Sequence, residues 1–223
     1  MGVGFNITPS SRSALTGRAA VSDIALIASN AVPLFGVLFA NWHVFPIILL
    51  YWCENVVIGA MNVVKMGVVY PQEPVLWLFK VFLIPFFCVH YGLFTGVHGV
   101  FVFSLFGGPQ YSHVGWPTIP VVLGAIRDAG IGWAIVSLVA SHLVSFAWNF
   151  LIGGEYRRVL PMQLMVQPYA RVVVLHVTLI FGGIAVMALG APVAGLAVLV
   201  VVKTTVDLAA HRRERQKFLQ PRL

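Results

Sequence analysis

Charge is what this sequence has least of. Only 9% of its 223 residues are Asp, Glu, Lys or Arg, and just 7 of those are acidic. A soluble domain carries about 25% charged residues, so a water-exposed globular surface is excluded. Cysteine is nearly absent as well. Cys53 and Cys88 both lie inside apolar runs, which argues against a disulfide framework. The N-terminus, MGVGFNITPSSRSALTGRAAVSD, has no apolar core of the kind a cleavable signal peptide needs. No repeat of fixed period and no low-complexity stretch occurs, and the metal motifs HExxH, HxxxH and HxxHH are missing. A GxSxG or SxxK setting for a nucleophilic serine is missing too.

What is present is hydrocarbon. Hydrophobic residues make up 59% of the chain and the mean hydropathy is +0.91. About 20 apolar residues cross a bilayer, and the runs at 24–42, 44–64, 76–106, 131–153, 170–189 and 192–210 read as six spans. The third is longer than a membrane is thick, so it must tilt, kink at Pro85 or project. Between spans three and four, residues 118–126 are apolar but too short to cross; they read as an interfacial or re-entrant piece that covers a site.

Loop charge sets the expected topology. Arg12 and Arg18 precede span one, Lys65 and Lys80 flank the second loop, Arg157, Arg158 and Arg171 flank the fourth, and Arg212, Arg213, Arg215 and Lys217 follow span six. All then fall on one side, as the excess of Lys and Arg in cytoplasmic loops requires. The expectation is an all-α, polytopic membrane helix bundle with six transmembrane spans and both termini cytoplasmic. Residues 1–22 form a polar N-terminus, 23–211 the bundle and 212–223 a basic tail. The net charge of +7 is then a topology signal and a contact for anionic lipid rather than for nucleic acid. The expected location is the inner membrane, with several passes.

Depth follows from counting about 1.5 Å per residue. Glu54, His90 and His142 fall at the centres of spans two, three and four. His176 lies about 6 Å and Asp207 about 9 Å toward the cytoplasm. His98 is eight residues beyond His90, about 12 Å along an ideal helix, and so belongs to an outer layer near His43 or His113. His142 and Asn149, seven apart, share a face of span four. Gly92, Gly96 and Gly99 of span three read as close-packing positions. Ser137, Ser141 and Ser145 read as interhelical hydrogen bonders.

Ionisable groups inside lipid point to function. A carboxylate with imidazoles suits a divalent metal, zinc foremost. The first expectation is a membrane-embedded metalloprotein in which His90, His142, His176 and Asp207 hold the ion. In that reading Glu54 completes the shell or acts as catalytic base, and the activity is hydrolysis of a lipid or peptide. The alternative is a small-solute or proton-coupled transporter in which the same residues titrate along a path. The third is a bis-histidine haem protein using His90 and His142.

The strings YWCENVVIGAMNVVKM (51–66), FFCVHYGLFTGVHGVF (86–101), SHLVSFAWNFLIGGEYRR (141–158), PYARVVVLHVTLIFGG (168–183) and KTTVDLAAHRRE (203–214) carry a resemblance. With their Glu-Asn, His-Tyr-Gly and Asp-x-x-x-His blocks, they resemble a bacterial family of polytopic inner-membrane proteins of unknown function. The resemblance covers about residues 20–215 and implies a helical membrane bundle without assigning an activity. Phe86 to His90 and Phe94 to His98 are also similar to the FxxxH helix of prenyl-endopeptidase-type intramembrane proteases, but the EExxxR motif of that family is absent. The GxSG motif of the rhomboid proteases, which also have six-span cores, is absent too.

Overall fold

The computed structural model describes residues 33–70 and 74–219 together with Ile27 and Ala31, without the side chains of 74–76, 170, 207 and 210–219. The described residues form helices joined by turns. Residues 33–39 form α1. There follow α2 (Val44–Val68), α3 (Pro74–Phe106), α4 (Ile119–Asp128) and α5 (Gly132–Ser145), the last continuing as a π-helix, Phe146–Ile152. A 3₁₀ turn, Glu155–Arg157, leads to α6 (Pro161–Val166), α7 (Tyr169–Leu189) and α8 (Pro192–Leu219). The chain divides into two units, His43–Leu199 and the two chain ends, Met1–Trp42 with Val200–Leu223. The larger unit holds the features described below.

Four stretches are helical, long and apolar enough to cross a membrane: Val44–Val68, Trp77–Phe106, Gly132–Ile152 and Pro161–Leu189. They match the expected spans two to five. The last is interrupted after α6, since residues 167 and 168 form a turn. The sixth expected span corresponds to Pro192–Val206, a shorter apolar stretch within α8. Of the first, 24–42, residues 33–39 form α1, and residues 24–26, 28–30 and 32 lie outside the described residues.

Helices α2 and α3 form an antiparallel pair, and bonds between them fix its register. The Trp52 indole donates to the Thr95 carbonyl at 2.8 Å, and the Tyr91 hydroxyl donates to the Asn55 carbonyl at 2.9 Å. Where lipid tails are as apolar as the side chains, close packing and such bonds hold helices together. Small residues supply the approach: an indole fills the space beside Gly96 (Trp116) and Gly99 (Trp52), whereas Gly92 faces open space. At the pair's closed end, the buried Lys80 donates to the carbonyls of Gly67 and Val69 at 2.8 and 2.9 Å. A helix C-terminus leaves its last carbonyls unpaired and carries partial negative charge, so the ammonium caps α2.

α3 runs through Pro85 for 33 residues, about 50 Å at 1.5 Å each. That is longer than the roughly 30 Å of hydrocarbon that a spanning helix crosses. A core of Met66, Val69, Phe87, Tyr91, Phe150, Leu164 and Val172 gathers α2, α3, the π-helix, α6 and α7. α4 is too short to span, and its Ile119, Val122 and Ile126 line a cavity of about 540 Å³ with Trp52 and Tyr91. The short piece between spans three and four thus lines a cavity that holds none of the expected site residues.

α3 and α7 run in the same direction. His90 meets Tyr169, His98 meets His176, and Leu105 lies beside Gly183, with chain separations of 79 and 78 for the two bonded pairs. A near-constant separation is the signature of parallel neighbours, and it matches two helices that each enter from the same side.

Candidate functional site

A polar cavity of about 240 Å³ opens between α2, α5 and the α6–α7 turn. Asn62 and Lys65 come from α2, His142 and Ser145 from α5, and Gln167 and Arg171 from the turn and the start of α7. Helical spacing explains the wall: Ile58, Met61, Asn62 and Lys65 recur at three and four residues and share a face. The buried Asn62 is held by donation to the Leu164 carbonyl at 2.6 Å. Lys65 keeps its ammonium 5.4 Å from the Phe150 ring centre, within cation–π range.

The electrostatic centre of this cavity is Arg171. Its guanidinium donates to a Glu54 carboxylate oxygen at 2.5 Å. Arg171 is 53% exposed and Glu54 24%, so the arginine reaches the cavity while the carboxylate sits behind it on α2. Two fixed cations on the wall, Lys65 and Arg171, are set against that one carboxylate. The balance is positive, and Arg171 lies in the first turn of α7, where the helix adds partial positive charge.

The expected site residues are distributed over separate contacts. Glu54 binds Arg171. His90 Nδ1 lies 2.7 Å from the Tyr169 hydroxyl, with its ring between Phe86 and Phe94. His142 lines the polar cavity. His176 Nδ1 lies 3.0 Å from His98 Nε2. Asp207 and His211 fall outside the described side chains. Among the described residues no three His, Cys, Asp or Glu side chains are grouped to hold a metal ion.

By counting, His98 falls in an outer and His176 in an inner layer; the bond between them places them level. The count has α3 enter the membrane at Lys80 and centres the fifth span on 180. Lys80 is instead bonded to the end of α2, and the apolar stretch containing α7 starts at Pro161. His142 and Asn149, expected on one face, are linked through Ser145. The π-helix from Phe146 has a wider turn, and Asn149 donates to Ser145 Oγ at 3.2 Å while His142 and Ser145 face the cavity.

From sequence, Arg171 counts as a loop charge and Tyr169 does not stand out. Their signal lies in Pro168: proline favours a helix start, which puts Arg171 three residues on, already inside α7.

A model of a family of unknown function (DUF6498) matches residues 12–222. No curated protein and no solved structure matches the chain.

Proposed function

The chain belongs to DUF6498, a family of unknown function, and for it we propose a multi-pass carrier that binds a small anion inside the membrane and couples its binding to a proton. This is the transport reading among those expected from sequence. The observation that carries it is Arg171 on the wall of a polar cavity, paired with Glu54. Ionisable side chains at membrane depth mark solute and proton pathways, and a guanidinium matches the two oxygens of a carboxylate or phosphate.

The coupling follows from charge. An anion reaching Arg171 competes with Glu54 for the same donors. A carboxylate stripped of its partner in a poorly solvated site is costly, so Glu54 takes a proton as the anion binds and gives it up as the anion leaves. His142 and Lys65 offer further donors, and Gln167 orients the solute. In this reading the bundle has six spans with both termini on the cytoplasmic side of a bacterial inner membrane, and the basic tail from Arg212 to Lys217 meets anionic lipid.

Calorimetric titration of the purified protein with benzoate, lactate and inorganic phosphate tests it. The expected result is saturable binding of one or more of these, tightening as pH falls and weakened about 10- to 100-fold in Arg171→Gln. Absence of binding to all three, or equal binding by the variant, contradicts it.

A further inference from the structure

A second cavity, of about 380 Å³, lies between α3 and α7. Its wall is aliphatic and aromatic, with Phe94, Phe101, Ile180 and Met187, except for two imidazoles, His98 and His176. A pocket of this size, apolar and with a few convergent polar groups, is the usual form of a small-molecule site between bundle helices.

The two rings are not equivalent. His98 is 3% exposed, and its Nδ1 is buried with no partner among the described residues. His98 Nε2 and His176 Nδ1 are 3.0 Å apart, so one is the donor and the other the acceptor. A proton on His98 Nδ1 would be an unpaired N–H in the interior. A proton on Nε2 leaves only a lone pair at Nδ1 and donates to His176 Nδ1. His176 is then fixed with its own proton on Nε2. It is the exposed member of the pair, and it presents an N–H donor at the edge of an apolar cavity.

The cavity is lined where Leu93 and Met187 are exposed, on the outer faces of two apolar helices, so its ligand comes from hydrocarbon rather than water. We propose that it binds a membrane quinone, with a ring carbonyl accepting the hydrogen bond from His176 Nε2 and the ring lying against Phe94 and Phe101. A quinone joins the three properties the wall selects: a flat apolar ring, an uncharged carbonyl acceptor, and solubility in the bilayer. Arg171 and the polar cavity take no part, and the inference stands independently of the carrier reading.

Titration of the purified full-length protein with decylubiquinone tests the site. Saturable binding is expected, weakened about tenfold in His176→Phe through the loss of one hydrogen bond. His176→Gln, which keeps an N–H donor, binds within about threefold of the wild type. Ile180→Trp fills the cavity without replacing either histidine and abolishes binding. The proposal is overturned if the wild type does not bind the quinone, if Ile180→Trp binds it as well as the wild type does, or if dodecane, which has no acceptor, binds as tightly as the quinone.

Discussion

Two cavities share one helix, and they select opposite chemistry. The polar one takes Arg171 from the first turn of α7; the apolar one takes His176 from five residues further along the same helix. At Arg171 a charge is answered by a charge on α2. At His176 one imidazole is answered by another on α3, in a wall otherwise without polar groups. Histidine serves in both places, at His142 beside cationic groups and at His176 among aliphatic ones, so residue type alone does not define a site. The surroundings decide which chemistry each imidazole faces.

Breaking the polar contacts one at a time sharpens that contrast. The largest effect on stability is expected for Arg171→Gln, which leaves Glu54 without its partner. Removing one member of a fully buried ion pair costs about 3–5 kcal/mol and an exposed pair is worth about 0–1. This half-exposed pair falls between, at about 1–3 kcal/mol, read as a lower thermal midpoint in detergent. The double variant with Glu54→Gln recovers part of that loss, and a fully additive double variant would show that the two residues do not interact. Lys80→Met comes next. It removes two charge-assisted bonds to the end of α2 and lowers stability by about 2 kcal/mol, with both cavities still able to bind. Trp52→Phe loses the bond to Thr95 and costs about 1 kcal/mol in the same assay.

The smallest effect lies outside the long apolar helices. The Tyr111 hydroxyl donates to Asp128 at 2.8 Å in the turn before α4. Partial burial first, and then the bond to and charge of Asp128, hold its phenol above the ordinary value. The folded chain therefore keeps this proton longer than the unfolded one does. The contribution is complete below about pH 10, the ordinary tyrosine value, and is lost as pH rises through the folded value. Tyr111→Phe removes the pH dependence from that region of an alkaline unfolding series, and an unchanged profile would show that another group titrates there.

Relative height was legible across α2 and α3 but not between α3 and α7, where His98 and His176 prove to be level, and direction was legible much less. Counting sets Glu54 and His90 near one level, and the bonds from Trp52 to Thr95 and from Tyr91 to Asn55 agree within about a turn. It does not say that Glu54 turns to Arg171 while His90 turns to Tyr169. Apolar residues surround these helices on all sides, so no amphipathic stripe marks the inward face. The pairing of His98 with His176 depends on α3 and α7 being parallel neighbours, a fact of long-range packing with no local signature. The π-helix after Ser145 changes the angular spacing, and counting at 3.6 residues per turn cannot anticipate it. The helical class and the four helices long and apolar enough to cross a membrane were readable, because length and hydropathy are local quantities.

The coupling between a bound anion and Glu54 can be read directly as proton uptake. Benzoate, lactate or phosphate, whichever binds, is added to weakly buffered protein and the pH is followed. Uptake of about one proton per anion bound is expected in the wild type, in keeping with linkage between binding and protonation. Binding without uptake is expected in Glu54→Gln, whose side chain is already neutral. Wild-type binding with no proton taken up, or the same uptake in Glu54→Gln, would contradict it.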